Sequence, residues 1–135
     1  MKKLYSLLIA LTTTIFLQSN AYGQYSWSNV GTGMNSPVQS LVTDTTNDLL
    51  YAGGVFTQAG GIPAINIAKW NGSTWSPVGG GIISGLGVSS MLMQGTDVIV
   101  GGTFTNIGGV LSKNIARWNG TLWSPIGAGL EYTGV

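Results

Sequence analysis

The chain has 135 residues, only 7% of them charged, with 22 glycines and neither cysteine nor histidine. Lacking cysteine, it has no disulfides, thiolate metal sites or cysteine nucleophiles; lacking histidine, it also has no imidazole base or ligand. A formal charge of +1 provides no basic stripe to hold nucleic-acid phosphates.

Met1-Lys2-Lys3 is a short positive segment, followed by an apolar stretch over residues 4–17 and then Ser19-Asn20-Ala21-Tyr22-Gly23. This is the order of a signal peptide, with small residues at Ala21 and Gly23 marking a cleavage site. The apolar stretch is shorter than the roughly 20 residues of a spanning helix and is diluted by Thr12, Thr13 and Thr14. Residues 1–23 are therefore read as a signal peptide, with cleavage after Gly23 favoured over Ala21, and the product as secreted or at the cell surface. Once it is removed, Lys69, Lys113 and Arg117 face Asp44, Asp48, Asp97 and Glu131, three cations against four carboxylates.

The remainder, rich in Gly, Thr, Val, Ile and Trp, reads as all-β. Residues 38–43 predict a strand ended by the polar cluster 44–48, and residues 49–52 a second strand running into Gly53-Gly54. A loop through Val55-Phe56-Thr57 and Gly60-Gly61 leads to a third strand over 65–70. Asn71-Gly72 predicts a two-residue type I′ hairpin turn, which needs positive φ at both central positions, and residues 74–78 form the fourth strand. The order then recurs, with strands predicted over 88–93, 98–100, 115–118 and 122–126. Phe104-Thr105 and Gly108-Gly109 mirror the earlier loop, and Asn119-Gly120 mirrors the earlier turn.

The recurrence is a repeat with a fixed shift. Asn66, Trp70 and Trp75 return 48 residues later as Asn114, Trp118 and Trp123. Residues 25–34 match 73–82 at the same shift, so Trp27 begins the last strand of a preceding unit. Residues 82–89 carry a two-residue insertion relative to 34–39, the kind of change expected where loops vary and packing does not. Four short strands per period is the arithmetic of a β-propeller blade. The units are 24–34 (the last strand of a blade), 35–82 and 83–130 (two complete blades) and 131–135 (the start of the next). A ring of four to eight such blades needs roughly 190–390 residues. The expected fold is thus an incomplete ring, either part of a longer protein or one that assembles with copies of itself through open blade faces.

Gly-Gly-x-Phe-Thr-x-x-Gly-Gly, Asn-Ile-Ala-(Lys/Arg)-Trp-Asn-Gly and Trp-Ser-Pro-(Val/Ile)-Gly-x-Gly resemble the kelch-like propeller repeats of secreted bacterial surface proteins, found also in a fungal cortical-marker protein. The resemblance covers residues 24–135. It implies a propeller fold, and its bacterial members are often long multi-repeat proteins with a C-terminal sorting domain.

Positions held between internal copies are more readily explained by packing than by a ligand. Trp70/Trp118 and Trp27/Trp75/Trp123 are therefore read as packing residues ahead of sugar platforms. Gly53-Gly54 and Gly60-Gly61 lack the lysine spacing of a phosphate loop. Asn66 and Asn114 are expected to tie neighbouring loops through backbone hydrogen bonds, and Lys69 and Arg117 to be solvated or snorkelling. Asp44, Asn47 and Asp48 offer three oxygen donors without a calcium-loop spacing, and turn capping is preferred for them. No catalytic, cofactor or metal residue is assigned, and the ligand-binding residues are unassigned. Residues that differ between copies are the better functional candidates: Gln58 against Asn106, Pro63 against Leu111, Tyr51 against Ile99, and Met91 with Met93. The reading is a non-enzymatic exported module with an extracellular protein or glycan as partner, no nucleic acid and no membrane span after signal removal. The alternative is a non-catalytic part of a carbohydrate-active or oxidase-type propeller enzyme.

Overall fold

A computed structural model of the chain describes residues 28–131. The proposed signal peptide, the strand start at Trp27 and residues 132–135 lie outside the described residues.

The described residues are all-β, without helix, and every strand pairing is antiparallel. In the first repeat the strands are β1 (Val38–Asp44), β2 (Leu49–Gly54), β3 (Gln58–Ala59), β4 (Ile62–Pro63), β5 (Ile67–Trp70) and β6 (Trp75–Pro77). Its main sheet runs β1-β2-β5-β6 in chain order, with β3 and β4 forming a separate short hairpin. The second repeat has β7 (Ile82–Gln94), β8 (Asp97–Ile107), β9 (Val110–Leu111), β10 (Ile115–Trp118) and β11 (Trp123–Pro125). Its sheet runs β7-β8-β10-β11, and β9 pairs with the far end of β8. The two sheets do not close into a ring among the described residues.

Registers repeat with the sequence. Ala52 pairs with Leu41 and Ala68, and Leu50 with Trp70. In the second sheet Val100 pairs with Met91 and Ala116, and Val98 with Trp118. Because side chains alternate along a strand, each sheet has two distinct faces. An alanine face carries Leu41, Leu50, Ala52, Ala68, Trp70 and Trp75 in the first sheet, and Met91, Val98, Val100, Ala116, Trp118 and Trp123 in the second. The opposite face carries Val42, Tyr51, Gly53 and Ile67 in the first sheet, and Leu92, Ile99, Gly101 and Ile115 in the second.

The Tyr51 face of the first sheet lies on the alanine face of the second. Tyr51 and Ile67 share one core cluster with Val78, Val88, Val98, Val100, Ala116, Trp118 and Trp123, with Val42, Met91 and Met93 packed against it. Burial on this scale is worth about 1.5–3 kcal/mol per large apolar side chain. The sheets can approach this closely because residue 53 is glycine: a Cβ there would stand 2.5 Å from Val88 Cγ1. One cross-sheet polar contact fixes the register, the Met91 N–H donating to Ser40 Oγ at 2.9 Å.

Three local expectations are corrected. The stretch after Gly54 is not simply loop, since β3 and β4 pair there; in the second repeat Phe104 and Thr105 belong to an 11-residue β8. β7 starts at Ile82 rather than 88, and the two-residue insertion is absorbed as register shifts along its pairing with β8. The Asn-Gly pair does not form a type I′ turn either. Gly72 and Gly120 have φ of 93°, while Asn71 and Asn119 do not enter the positive region. Each Asn instead caps the loop with its side chain. Asn71 Oδ1 accepts from the N–H groups of Ser73 (3.0 Å) and Thr74 (2.9 Å), and Asn119 Oδ1 from those of Thr121 (3.0 Å) and Leu122 (2.8 Å).

Candidate functional site

The feature both repeats build most carefully is a tryptophan seat. The strand pairs Trp70↔Trp75 and Trp118↔Trp123 bring the rings together across β5-β6 and β10-β11. Their centroids stand 5.4 and 5.1 Å apart at 49° and 48°, the tilted arrangement aromatic quadrupoles favour. Onto each pair sits a Val-Gly-x-Gly segment from 45 residues or so earlier in the chain: Val30-Gly31-Thr32-Gly33 on the first, Val78-Gly79-Gly80-Gly81 on the second. A Cβ on Gly79 would overlap the Trp118 and Trp123 rings, and one on Gly31 would press on Trp75 Cδ1 at 3.2 Å. The backbone N–H of Gly60 donates to Gly33 O, and that of Gly108 to Gly81 O, both at 2.7 Å. Recurrent tryptophan and glycine thus join one repeat to the next.

The seats differ in one bond. Trp75 Nε1 donates to Val30 O at 2.9 Å, whereas Trp123 Nε1 is buried without an acceptor. Val78 O, the corresponding carbonyl, accepts the Gly81 N–H instead at 3.0 Å. Trp118 Nε1 is also unpartnered; it faces the Tyr51 hydroxyl without reaching hydrogen-bond geometry.

Around the first seat the alanine face opens into a cavity of about 390 Å³, lined by Val30, Gly31, Met34, Val38, Leu41, Ala52 and Trp75 among others. A second, more polar recess of about 430 Å³ lies between the β1–β2 turn and the Asn119-Gly120 loop, with Asp44, Asn47, Tyr51, Lys69 and Thr121 in its wall.

The acidic turn is a cap. Asp44 Oδ1 accepts from the N–H groups of Thr46 (3.0 Å) and Asn47 (3.1 Å), and Oδ2 from Asn47 Nδ2 (2.6 Å). The Asn47 amide, with those backbone N–H groups, holds the carboxyl below its usual value against the opposing effect of burial. Asp48 takes φ 53° at the turn's end. Among the described residues no group of three His, Cys, Asp or Glu side chains is placed to hold a metal ion.

Asn66 and Asn114 sit at φ 63° and 60° and tie loops. Asn66 Nδ2 donates to Gly54 O at 3.1 Å, and Asn114 Nδ2 to Leu130 O at 2.8 Å. Lys69 and Arg117 part company: Arg117 stands 3.7 Å from Asp97 and 3.2 Å from Gln94 Oε1, while Lys69 lines the polar recess. The residues that differ between copies do not converge. Tyr51, only 2% exposed, and Met91 with Met93 enter the core between the sheets. Burial, and secondarily the Asp44 charge, push the Tyr51 phenol above its usual value, with Trp118 opposing. Gln58 and Pro63 face each other on the β3-β4 hairpin, and Asn106 faces Leu111 across β8-β9.

What the sequence reading missed is the cavity on the alanine face. No sequence signal marks it, since Val38 and Leu41 stand where the second copy carries the equally apolar Val88 and Met91. Fold and seats together define a protein of stacked antiparallel sheets joined by a repeated tryptophan–glycine contact. No protein-family model, curated protein or solved structure matches the chain.

Proposed function

We propose that the chain is an exported β-propeller repeat module with a binding or structural role outside the cell, its sheets being successive kelch-like blades. One observation carries this reading: the same joint, a Val-Gly-x-Gly segment on a tilted tryptophan pair, is made twice at the sequence period. A unit whose most distinctive residues are spent on its neighbour is suited to building an extended surface. The partner in this reading is an extracellular protein or glycan.

Export and binding are tested together. Expressed in a secreting bacterial host, the chain should appear outside the cytoplasm with an N-terminus at Gln24, or at Tyr22 for the alternative cut. Cytoplasmic retention with Met1 intact would sink the export reading. The secreted product should then retain a subset of extracellular glycans on an array or bind an extracellular matrix protein. Turnover of a glycan would instead favour an enzyme.

A further inference from the structure

We infer that a second copy of this chain docks head to tail on the open alanine face of the first sheet, presenting the Ile99 face of its second sheet. The inference rests on the repeat-module reading and adds the partner and the register. The chain already contains one joint of this kind, which specifies what each exposed position should meet.

Inside the molecule, Val88 and Met91 of the second alanine face are covered by Gly53, Val42, Tyr51 and Ile67 of the first sheet. Their counterparts on the first alanine face are Val38 and Leu41, which are 40% and 58% exposed. Among the described residues nothing fills the cavity of about 390 Å³ that they line. At the other end, Val42 is packed into the internal core, while its counterpart Leu92 is 54% exposed. Ala52, Ala68 and Trp75 of the first alanine face are already buried under Phe56, Ala59 and Ala64, so the open part is its Val38–Leu41 strip; that strip and Leu92 are the counterparts of positions buried at the internal joint.

The complementarity extends to single groups. Val88 lies against Gly53; Val38 would lie against Gly101 of the second copy, where a Cβ would meet little besides Ser90 Oγ and nothing apolar. The Met91 N–H donates to Ser40 Oγ; the Leu41 N–H would donate to Ser90 Oγ of the second copy. Tyr51 and Ile67 fill the internal core, so Ile99 and Ile115 are the side chains for the cavity. At the tryptophan seat, Ile126-Gly127-Ala128-Gly129 of the second copy would replace Val30-Gly31-Thr32-Gly33, one segment exchanged for its repeat. The contact joins two different faces and is therefore heterologous, so after it forms one copy keeps its Ile99 face available and the other its alanine face.

Sedimentation velocity on the chain and on two surface variants tests this. The chain should show a mass that rises with concentration. Leu41→Asp and Leu92→Asp each block one face and should each be monomeric alone. Mixed in equal amounts they should form a dimer and nothing larger, because each supplies the face the other lacks. Val38→Glu and Ser90→Glu repeat the pair at neighbouring positions should either Asp variant misfold. A chain that stays monomeric throughout, or a single variant that dimerises by itself, overturns the inference. An antiparallel β signature retained in circular dichroism would then leave the repeat-module reading standing, whereas its loss from the unmodified chain would remove both.

Discussion

Trp75 and Trp123 occupy one repeat position but not one hydrogen-bonding state. Trp75 donates its indole N–H to Val30 O, and Trp123 holds its own buried and unpaired. A buried donor without a partner is costly, while a typical satisfied bond contributes about 1 kcal/mol net. Trp75→Phe should therefore destabilise more than Trp123→Phe, by about 1 kcal/mol or more, read as a difference in urea midpoints at constant slope. Equal losses would mean that the indole nitrogens do not distinguish the two seats. The loop asparagines give a second contrast. A type I′ turn would tolerate Asn71→Gly, whereas the side-chain cap onto Ser73 and Thr74 requires an acceptor. Asn71→Asp should be nearly neutral and Asn71→Gly should cost about 1 kcal/mol, again by chemical unfolding. Asn-Gly was legible as a turn; its geometry was not, because backbone propensity does not reveal that the Asn carboxamide will satisfy two N–H groups.

At the level of elements, the two sheets come close where Gly53 lets Val88 reach β2. Gly53→Ala should destabilise by about 1–3 kcal/mol through overpacking, because the neighbour is a fixed β-branched side chain. Gly101→Ala, at the same repeat position but facing only the Ser90 hydroxyl within its own chain, should leave the thermal midpoint of the monomeric Leu41→Asp variant nearly unchanged. The β1–β2 turn adds a dependence on acid. Asp44 is held below its usual 3.8 by Asn47 and the turn N–H groups, so its contribution is present above that value and is lost as pH falls through the lowered folded value. Stability should therefore drop below about pH 4, and Asp44→Asn should flatten that part of the profile. At the alkaline end Tyr51, raised by burial, contributes below pH 10 and loses its contribution as pH rises through the folded value; Tyr51→Phe should remove that decline. Strand positions were largely readable from alternation and the 48-residue shift. The short β3-β4 hairpin and the extended β7-β8 pair were not, since two-residue pairings and bulges leave no periodic trace.

For the whole molecule, the sequence made the antiparallel four-strand order of residues 38–78 plain and also showed why tryptophan and glycine recur. It did not show that Val38 and Leu41 on one face and Leu92 on the other stay exposed. Leu41 and Met91 look equivalent in the repeat, and only stacking tells them apart: Met91 meets the core and Leu41 meets solvent. The candidate site was hidden for the same reason, being a vacancy in packing rather than a cluster of reactive groups.

The tilted indole pairs also make the protein its own reporter. Two identical chromophores held 5.1–5.4 Å apart at nearly 50° couple their electronic transitions and produce a bisignate band in far-ultraviolet circular dichroism. That band vanishes when either ring leaves its partner, so replacing Trp70 should remove one oscillator pair and leave the other. The residual signal would then follow the melting of the second repeat by itself, without an added label.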